Sequence, residues 1–265
     1  RYLCIVSSNL DEFFEVRAAA HLQAAQQGET KGEYNVASFE ALAEKAHQLV
    51  ERQYALYNDS LIPEFEKHGI RVVSHGERSS AQKRWVKEYF QRDVRPLLIP
   101  VGLDPSHPFP QVANKSLNSI VRLKGGDAFG RSNEIAIVKI PRILPRVIRL
   151  PGDVAPKGVQ VVTLSSIIRS HLADLFPGRE VTEFSQFRVT RHSDLAVDEE
   201  DVRNLRMALR QGLQHRHFGQ AVRLEVSSGC SRFMSDFLLT QFNLPAASLY
   251  RVQGPVNLVR LSQVV

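Results

Sequence analysis

The most specific run of the chain lies at residues 7–17 and reads SSNLDEFFEVR, from Ser7 to Arg17. Wound as an α-helix, the run and its flanks separate apolar from acidic side chains, which predicts an amphipathic helix packed on a core. The predicted apolar side comprises Leu3, Val6, Leu10, Phe13 and Phe14, and the predicted solvent side comprises Asp11, Glu12 and Glu15. We therefore expect the fold to begin with a helix over residues 2–26.

Two polar residues interrupt this pattern. Arg17 projects into the predicted apolar arc, where a guanidinium needs an anion or several acceptors, so an internal salt bridge is the simplest interpretation. Asn9 lies at the border of the arc and carries two donors and an acceptor, which suits the edge of a flat heteroaromatic ring. Asn9 with Glu12 also has the spacing of a capping box, so a helix N-cap is the alternative interpretation.

Length, composition and charge indicate a folded chain in two parts. Hydrophobic residues make up 43% of the 265 residues, which is enough for a core. No apolar run approaches the roughly 20 residues that cross a membrane. Residues 1–69 hold 6 Lys and Arg against 11 Asp and Glu, whereas residues 70–265 hold 28 against 17. The basic second part suits a polyanion or an acidic membrane surface, although an evenly solvated surface is the plainer alternative.

The start of the chain and its cysteines give two further expectations. Because the sequence begins without methionine inside a predicted helix, we expect a piece of a longer protein. Cys4 and Cys230 lie far apart and have no metal-binding spacing, which predicts free thiols in a cytoplasmic protein.

The order of the predicted elements favours an α+β fold with a mixed sheet. Residues 1–69 should form an all-α helical hairpin, and residues 70–265 a second domain. The second helix of the hairpin should run from residue 37 or 38 to residue 68, bent at Pro63 and ended by Gly69. Two helices enclose little core, so a neighbouring domain or a further helix should cover them. Residues 96–110 contain too many prolines for a regular element.

The remaining segments alternate irregularly between helical and strand-like patterns. Further helices are predicted at 79–94, 165–176, 199–216 and 230–242, and strands at 70–73, 117–124, 134–140, 147–150, 159–164, 184–190, 222–226 and 249–252.

No catalytic group or metal site is predicted from the residues themselves. The four histidines that attract attention suit structural roles in a proline-rich loop, at a strand end and at a helix end: they are His107, His192, His215 and His217. Neither a Walker loop nor a metal-ligand spacing occurs. Five basic residues could form a rim for a polyanion or a solvated edge: Lys139, Arg142, Arg146, Arg149 and Lys157.

Four stretches in order resemble one family. The run SSNLDEFFEVR resembles the amino-terminal signature of the polyphosphate kinases, the large histidine-phosphorylating family. The resemblance continues with PLLIPVGLDPSHPFP at 96–110 and NKSLN at 114–118. It extends through VTRHSDL at 189–195, followed by the acidic residues 198–201, to HFGQAVRLEV at 217–226. Together these stretches span nearly the whole chain.

This resemblance implies an enzyme of four domains, of which the chain would cover most of the amino-terminal domain and the head domain. The implied reaction is reversible transfer of the ATP γ-phosphate to polyphosphate through a phosphohistidine. Mg²⁺, the phosphohistidine and the catalytic residues would belong to carboxy-terminal domains outside this sequence. The resemblance therefore predicts no catalytic or metal residue in this chain, and a fragment that is inactive alone.

One site residue is carried over by the resemblance, which assigns Asn9 to the pocket for the nucleotide base. Residues 1–69 would lie on the nucleotide side and be incomplete at their start, and residues 70–265 would mediate homodimerisation. ATP or ADP and polyphosphate are the implied partners, in the cytoplasm or peripheral to a membrane. A function of another class stays open, namely a basic adaptor without activity that binds polyanions or nucleic acid. A salt-dependent, sequence-independent gel shift with DNA would favour it.

Overall fold

A computed structural model describes residues 1–28, 30, 32–104, 106, 108–126, 134–193 and 219–264. Two helical arms begin the chain. The first comprises α1 (Tyr2–Phe13), a π-helical turn (Phe14–Ala18) and α2 (Ala19–Gln27), and the second comprises α3 (Val36–Leu56), a π-helical turn (Tyr57–Leu61) and α4 (Ile62–Lys67). Gly28, in the left-handed conformation, ends the first arm. Asn35 caps α3 through a reciprocal pair of hydrogen bonds with Ser38. The predicted helical hairpin is therefore present.

The burial pattern of the first arm departs from the predicted one both within α1 and at the π-helical turn that follows it. A π-turn inserts one extra residue and rotates the helix relative to an ideal α-helical pattern. Phe14 and Ala18 are buried, whereas Arg17 is exposed, so the predicted position of Arg17 on the packing side is wrong. Phe13, also predicted to pack, is 38% exposed. Asp11 was predicted to face solvent and is instead buried.

Asn9 lies inside α1 with an exposed side chain. The helix begins at Tyr2, with Arg1 in the N-cap position. The capping interpretation of Asn9 is therefore wrong, because a cap requires a residue at the helix end, where backbone N–H groups lack partners.

The second part contains three α-helices in its described residues, α5 (Ser80–Tyr89), α6 (Leu164–Ser170) and α7 (Arg232–Phe242). Its strands are β1 (Ile70–Val72), β2 (Ile99–Gly102), β3 (Asn118–Lys124), β4 (Ile135–Lys139), β5 (Val147–Arg149), β6 (Val159–Thr163), β7 (Glu180–Arg191), β8 (Ala221–Ser227) and β9 (Leu249–Val252). The larger sheet has the order β2-β4-β3-β7-β8-β9, and the smaller sheet β1-β6-β5. Parallel pairs (β8–β9 and β1–β6) occur beside antiparallel ones, which confirms the predicted α+β fold with mixed sheets.

Strand β2 contradicts the expectation that residues 96–110 hold no regular element. It lies at the edge of the larger sheet and pairs with β4 alone. Proline lacks a backbone donor, but an edge strand needs donors along only one side, so Pro100 is tolerated there. The predicted helix at 199–216, with His215, lies outside the described residues, as do His107 and His217.

The larger sheet covers the helical hairpin. The ring of Tyr250 on β9 lies 5.7 Å from that of Phe14 and stacks on His47 at 4.0 Å. The hydroxyl of Tyr54 donates to the carbonyl oxygen of Pro255 at 2.7 Å. Both parts of the chain contribute to one continuous hydrophobic core, so the hairpin gains from the second part the cover that its own two helices lack. Within the described ranges, no helix is long and apolar enough to cross a membrane.

Candidate functional site

Three of the stretches that carry the family resemblance contact the first helical arm: residues 114–118, 189–195 and 217–226. Asp11 and Glu15, one helical turn apart, both turn toward the second part of the chain. Asp11 reaches β7 and β8, while Glu15 reaches residues 114–115 and the residues that follow β7. The first arm is thus joined to these distant stretches by two of its acidic residues, through the side chains of Asp11 and Glu15 and the backbone oxygen of Glu15. The sequence pattern had placed both on the solvent side of the helix.

Four charged residues form a buried ion cluster at this junction: Asp11, Arg188, Arg223 and Glu225. Arg188 donates two bonds to the Asp11 carboxylate, with Nη1–Oδ2 at 2.8 Å and Nη2–Oδ1 at 2.9 Å. Its Nε also donates to Glu225, which lies directly opposite it on β8. Arg223 donates to both carboxylates. Two cations and two anions make the ion cluster neutral overall, which offsets part of the cost of removing charges from water.

The arginines decide the ionisation of Asp11. Burial by itself would raise the pKa of this carboxyl group, but Arg188 and Arg223 outweigh burial and hold the pKa below its ordinary value. Burial likewise acts to lower the pKa of Arg188, and the charges of Glu225 and Asp11 raise it instead. Asp11 and Arg188 are therefore held in their charged forms, and α1 is fixed to the sheet by directional, charge-assisted bonds.

Arg223 is only partly satisfied by hydrogen bonds. Among the residues that the structure describes, its Nε and Nη1 atoms have no hydrogen-bond partner. Its guanidinium lies over the ring of Phe14, 4.7 Å from the centroid, and 5.7 Å from that of Tyr250. The negative ring faces therefore stabilise a cation whose donors are incompletely used.

Glu15 makes the second connection. Its carboxylate accepts from Lys115 Nζ at 2.8 Å and from the side-chain amide of Asn114. Its backbone oxygen accepts from the N–H of Ser193 at 3.0 Å. The Asn114 side chain also accepts from the backbone N–H of Arg191 at 2.9 Å. Contacts with residues 114–115 and with Ser193 thus fix the position of the first helical arm on the sheet.

The opposite face of α1 is open. Asn9 is exposed there, and Ile5 and Phe13, four residues before and after it, are 51% and 38% exposed. Residues four apart in a helix are neighbours on one face, so these apolar side chains flank the Asn9 amide. A flat ring could stack on such a surface while its edge bonds to the amide. The ion cluster holds the helix that presents this face.

The other candidates from the sequence occupy structural positions. The backbone N–H of His192 follows strand β7 and donates to the carbonyl of Gln220 at 2.9 Å. Of the five basic residues of the suggested rim, Arg146 lies within the electrostatic reach of Arg142 and of Arg260. Burial together with the charges of Arg260 and Arg142 lowers the pKa of Arg146 to about 10. Arg149 and Lys157 are exposed elsewhere on the surface.

The carboxylates of the junction do not suit a divalent metal. Asp11 and Glu225 are bound by guanidinium groups, and Glu15 by an ammonium group, so each already faces a cation. Across the described ranges, no three His, Cys, Asp or Glu side chains group in a way that could hold a metal ion.

Sequence reasoning missed the residues that anchor α1. The signal for two of them lies in β8, where Arg223 and Glu225 occupy alternate positions in an otherwise apolar strand. Alternate residues share one face of a strand, so a cation and an anion spaced this way are typical of a buried pair. No comparable signal distinguishes Asp11 from its exposed neighbour Glu12.

Comparisons with known proteins agree with this architecture. The polyphosphate kinase N-terminal domain model matches residues 1–73, and the polyphosphate kinase middle domain model matches residues 81–264. The chain is 50% identical over 268 residues to a polyphosphate kinase of Neisseria meningitidis serogroup B, covering 100% of this chain and 39% of that protein. It is 48% identical over 268 residues to one of Pseudomonas aeruginosa, again covering 100% of this chain and 39% of the relative.

A solved structure gives the same answer at the level of the fold. The crystal structure of polyphosphate kinase from Porphyromonas gingivalis superposes with a TM-score of 0.76 at 25% identity, covering 99% of this chain and 36% of that one. The chain thus spans about two fifths of the length of the relatives that it matches. Because the two domain models together cover nearly all of its residues, this chain belongs to the polyphosphate kinase family.

Proposed function

We propose that this chain serves, within a polyphosphate kinase, as the part that receives the nucleotide base and joins two subunits. The activity of the whole protein would be reversible transfer of the ATP γ-phosphate to polyphosphate through a phosphohistidine. The supporting observation is the exposed face of α1, which presents the Asn9 amide between Ile5 and Phe13. The ion cluster fixes this helix, and a fixed amide can discriminate the edge of a base better than a mobile one.

Residues outside this chain would carry out the phosphoryl transfer in this proposal. Mg²⁺ would accompany ATP, held by residues outside this chain, because the carboxylates at the junction are already paired with cations. Residues 1–69 would form the nucleotide-side domain and residues 70–265 the dimerisation domain. The division at residue 70 coincides with the first strand, β1.

Substitution of Asn9 by Asp in the full-length protein tests the base-binding role. The change replaces the amide donors with an acceptor-only carboxylate at nearly constant shape, so a base nitrogen that accepted from Asn9 would then face an anion. Losing such a bond costs about 1–3 kcal/mol, which predicts a rise in KM for ATP of roughly five- to hundredfold.

The melting temperature should stay nearly unchanged, because Asn9 is exposed and makes no cap. The matched control is Ser8→Ala, which alters the neighbouring exposed residue and should leave ATP kinetics as they are. Wild-type ATP kinetics in Asn9→Asp would remove Asn9 from the site.

A further inference from the structure

A cleft away from the exposed face of α1 lies where the helical hairpin, the smaller sheet and strands β7 and β8 of the larger sheet meet. We call it the α6 cleft and define it by Asn58, His75, Thr163, Ser166, Arg169 and Gln186. Its volume is about 460 Å³. None of the residues that line it is an Asp or a Glu. A polar cleft without carboxylates and with an arginine at its wall suits an anionic ligand.

The charge around the cleft is positive and includes a buried cation. Arg78 is only 4% exposed, and its guanidinium donates to the hydroxyls of Ser166 and Ser170. No carboxylate of the described residues forms an ion pair with it, and burial lowers its pKa. A buried charge that only hydroxyls compensate is costly, and a bound anion nearby would reduce that cost.

Two cleft residues connect to this cation. Ser166 accepts the bond from Arg78, which leaves its own O–H able to donate toward the cleft. The Nδ1 atom of His75 lies 2.8 Å from Ser170 Oγ, the other partner of Arg78. Burial and the charges of Arg78, Arg169 and Lys83 lower the pKa of His75, so the imidazole lies in a field made by cations.

The opposite wall holds an amide without a partner. The side chain of Gln186, on β7, is 4% exposed, and its Nε2 has no hydrogen-bond partner among the residues described. Buried amide nitrogens are rarely left this way. The nearby carboxylate of Glu77 is already used, since it accepts from the backbone and hydroxyl of Ser74 and pairs with Arg71 at 3.4 Å.

We propose that the α6 cleft binds a phosphate-type anion, held by Arg169, Ser166 and His75. A tetrahedral oxyanion accepts bonds from several directions, which matches a hydroxyl, a guanidinium and an imidazolium arranged around one space, because the charge of a bound anion favours the protonated form of His75, which donates from both ring nitrogens. The choice of an inorganic phosphate or a polyphosphate segment as ligand rests on the proposed function. The cleft would then be a site for the substrate or product anion that is separate from the base-binding face of α1.

Titration calorimetry of the whole chain at constant ionic strength tests this site. The probes are inorganic phosphate and tripolyphosphate, and the principal variant is Arg169→Gln. Arg169 is exposed and carries no described ion pair, so the variant should fold normally, which its melting temperature checks. Loss of one charged donor predicts an affinity that is roughly tenfold lower. His75→Gln should weaken binding in the same direction.

The matched control is Arg149→Gln, an exposed arginine on β5 that does not line the cleft. Its affinity should stay within about twofold of wild type, because a distant exposed charge is screened by salt. Binding of phosphate alone would identify a single oxyanion as the ligand, and binding of tripolyphosphate only would identify a chain segment. Either result supports the site if Arg169→Gln also lowers the affinity.

Two results would overturn the proposal: no binding of either probe by the wild-type chain, or equal loss in Arg169→Gln and Arg149→Gln. The measurement involves no phosphoryl transfer and no nucleotide. A failure of the α6 cleft is therefore distinguishable from a failure of the kinase assignment, which the ATP kinetics of Asn9→Asp address.

Discussion

At the scale of single residues, Asp11 connects more of the molecule than any local pattern suggests. One carboxylate on α1 binds guanidinium groups from two neighbouring strands, β7 and β8. Both arginines are buried, so neither can exchange this partner for water. The position of α1, and with it the face that presents Asn9, therefore depends strongly on this one ionised side chain, beside the contacts that Glu15 makes.

Substitution of Asp11 by Asn should destabilise the chain strongly. The change keeps the shape but leaves two buried arginines facing one remaining carboxylate, Glu225. Removing one member of a buried ionic group costs about 3–5 kcal/mol, so the urea midpoint should fall sharply. Glu12→Gln is the control, since Glu12 is the exposed neighbour on the same helix. Equal midpoints for the two variants would show that the ion cluster contributes little to stability.

At the scale of elements, the junction between α3 and β9 stabilises the fold through buried tyrosines. Burial raises the pKa of Tyr54, Tyr57 and Tyr250 above the ordinary value, and the charge of Glu225 adds to the shift for Tyr54 and Tyr250. The hydroxyl of Tyr54 donates to Pro255, a bond that only the neutral phenol can make.

Stability should therefore fall at alkaline pH. Because the folded pKa values are raised, the contribution is fully present below the unfolded tyrosine pKa of about 10 and is lost as pH rises above it. Above that pH, each such tyrosine makes the free energy of unfolding fall by about 1.4 kcal/mol per pH unit. Tyr54→Phe should lower the free energy of unfolding by about 1 kcal/mol at pH 7. It should also make the decline of that free energy with pH less steep, by the contribution of one tyrosine. Urea unfolding between pH 8 and pH 11 measures both, and an unchanged slope would contradict the assignment to Tyr54.

The pairing of β1 with β6 depends on a close backbone approach at Gly158. This residue has φ of +68°, and a Cβ there would overlap the carbonyl oxygen of Gly69. That oxygen accepts the N–H of Val159 at 2.8 Å, at the start of the β1–β6 register.

Gly158→Ala should thus destabilise by more than about 1 kcal/mol, since strain and a backbone clash coincide. Gly76→Ala is the matched control, because a Cβ at Gly76 meets nothing within 4 Å. Thermal melting compares the two variants. A Gly158→Ala midpoint no lower than that of Gly76→Ala would mean that the two strands can separate slightly at no cost.

The sequence predicted the helices and strands well where a single hydrophobic periodicity dominated. The alternation of apolar residues at 222–226 indicated β8, and the observed strand extends only one residue further at each end. Two predictions were wrong for physical reasons. Pro100 concealed β2, since only its edge position makes a proline acceptable, and edge position is a property of the whole sheet. The π-helical turn at Phe14–Ala18 moved Arg17 out of the packing face, because one extra residue shifts every later side chain.

The sites were less predictable than the elements. The resemblance identified Asn9, and its base-binding role stays a prediction. Neither the complete ion cluster nor the α6 cleft could be derived from spacing, because, apart from the pairs Arg223–Glu225 and Ser166–Arg169, their members are separated by many residues along the chain. Arg78 and Ser166 meet only after β1 pairs with β6, and Asp11 meets Arg188 only after the hairpin packs on the sheet.

At the scale of the whole molecule, net charge proved a poor guide to surface charge. The second part of the chain is strongly basic, yet Arg188 and Arg223 are buried and paired. Arg122 lies between Glu134 and Glu183. Counting such residues exaggerates the positive surface that a polyanion would meet. This weakens the basic-adaptor alternative, whose binding would depend on exposed, unpaired cations.

The proposed dimerisation also belongs to the whole molecule and needs the whole chain for its test. A chain cut at residue 70 would lose Asp11 and leave Arg188 and Arg223 with one carboxylate between them. It would also uncover Tyr250, which packs against Phe14 and His47. We expect such a fragment to aggregate, since it would expose apolar surface together with uncompensated charge. Association measured on the fragment alone would therefore be uninformative.

Light scattering of the whole 265-residue chain at micromolar concentration measures its molecular mass and so tests the proposed dimer. A dimer through residues 70–265 predicts twice the 29.9 kDa of one chain. The mass should persist at high salt if apolar contacts hold the subunits, and should fall toward the monomer if charge pairing between the acidic and basic parts holds them. The Asp11→Asn variant serves as a stability control, because a mass lost through unfolding would fall together with the melting temperature. A strict monomer at every concentration would move dimerisation outside residues 70–265, while leaving the base-binding role of Asn9 to be judged on ATP kinetics alone.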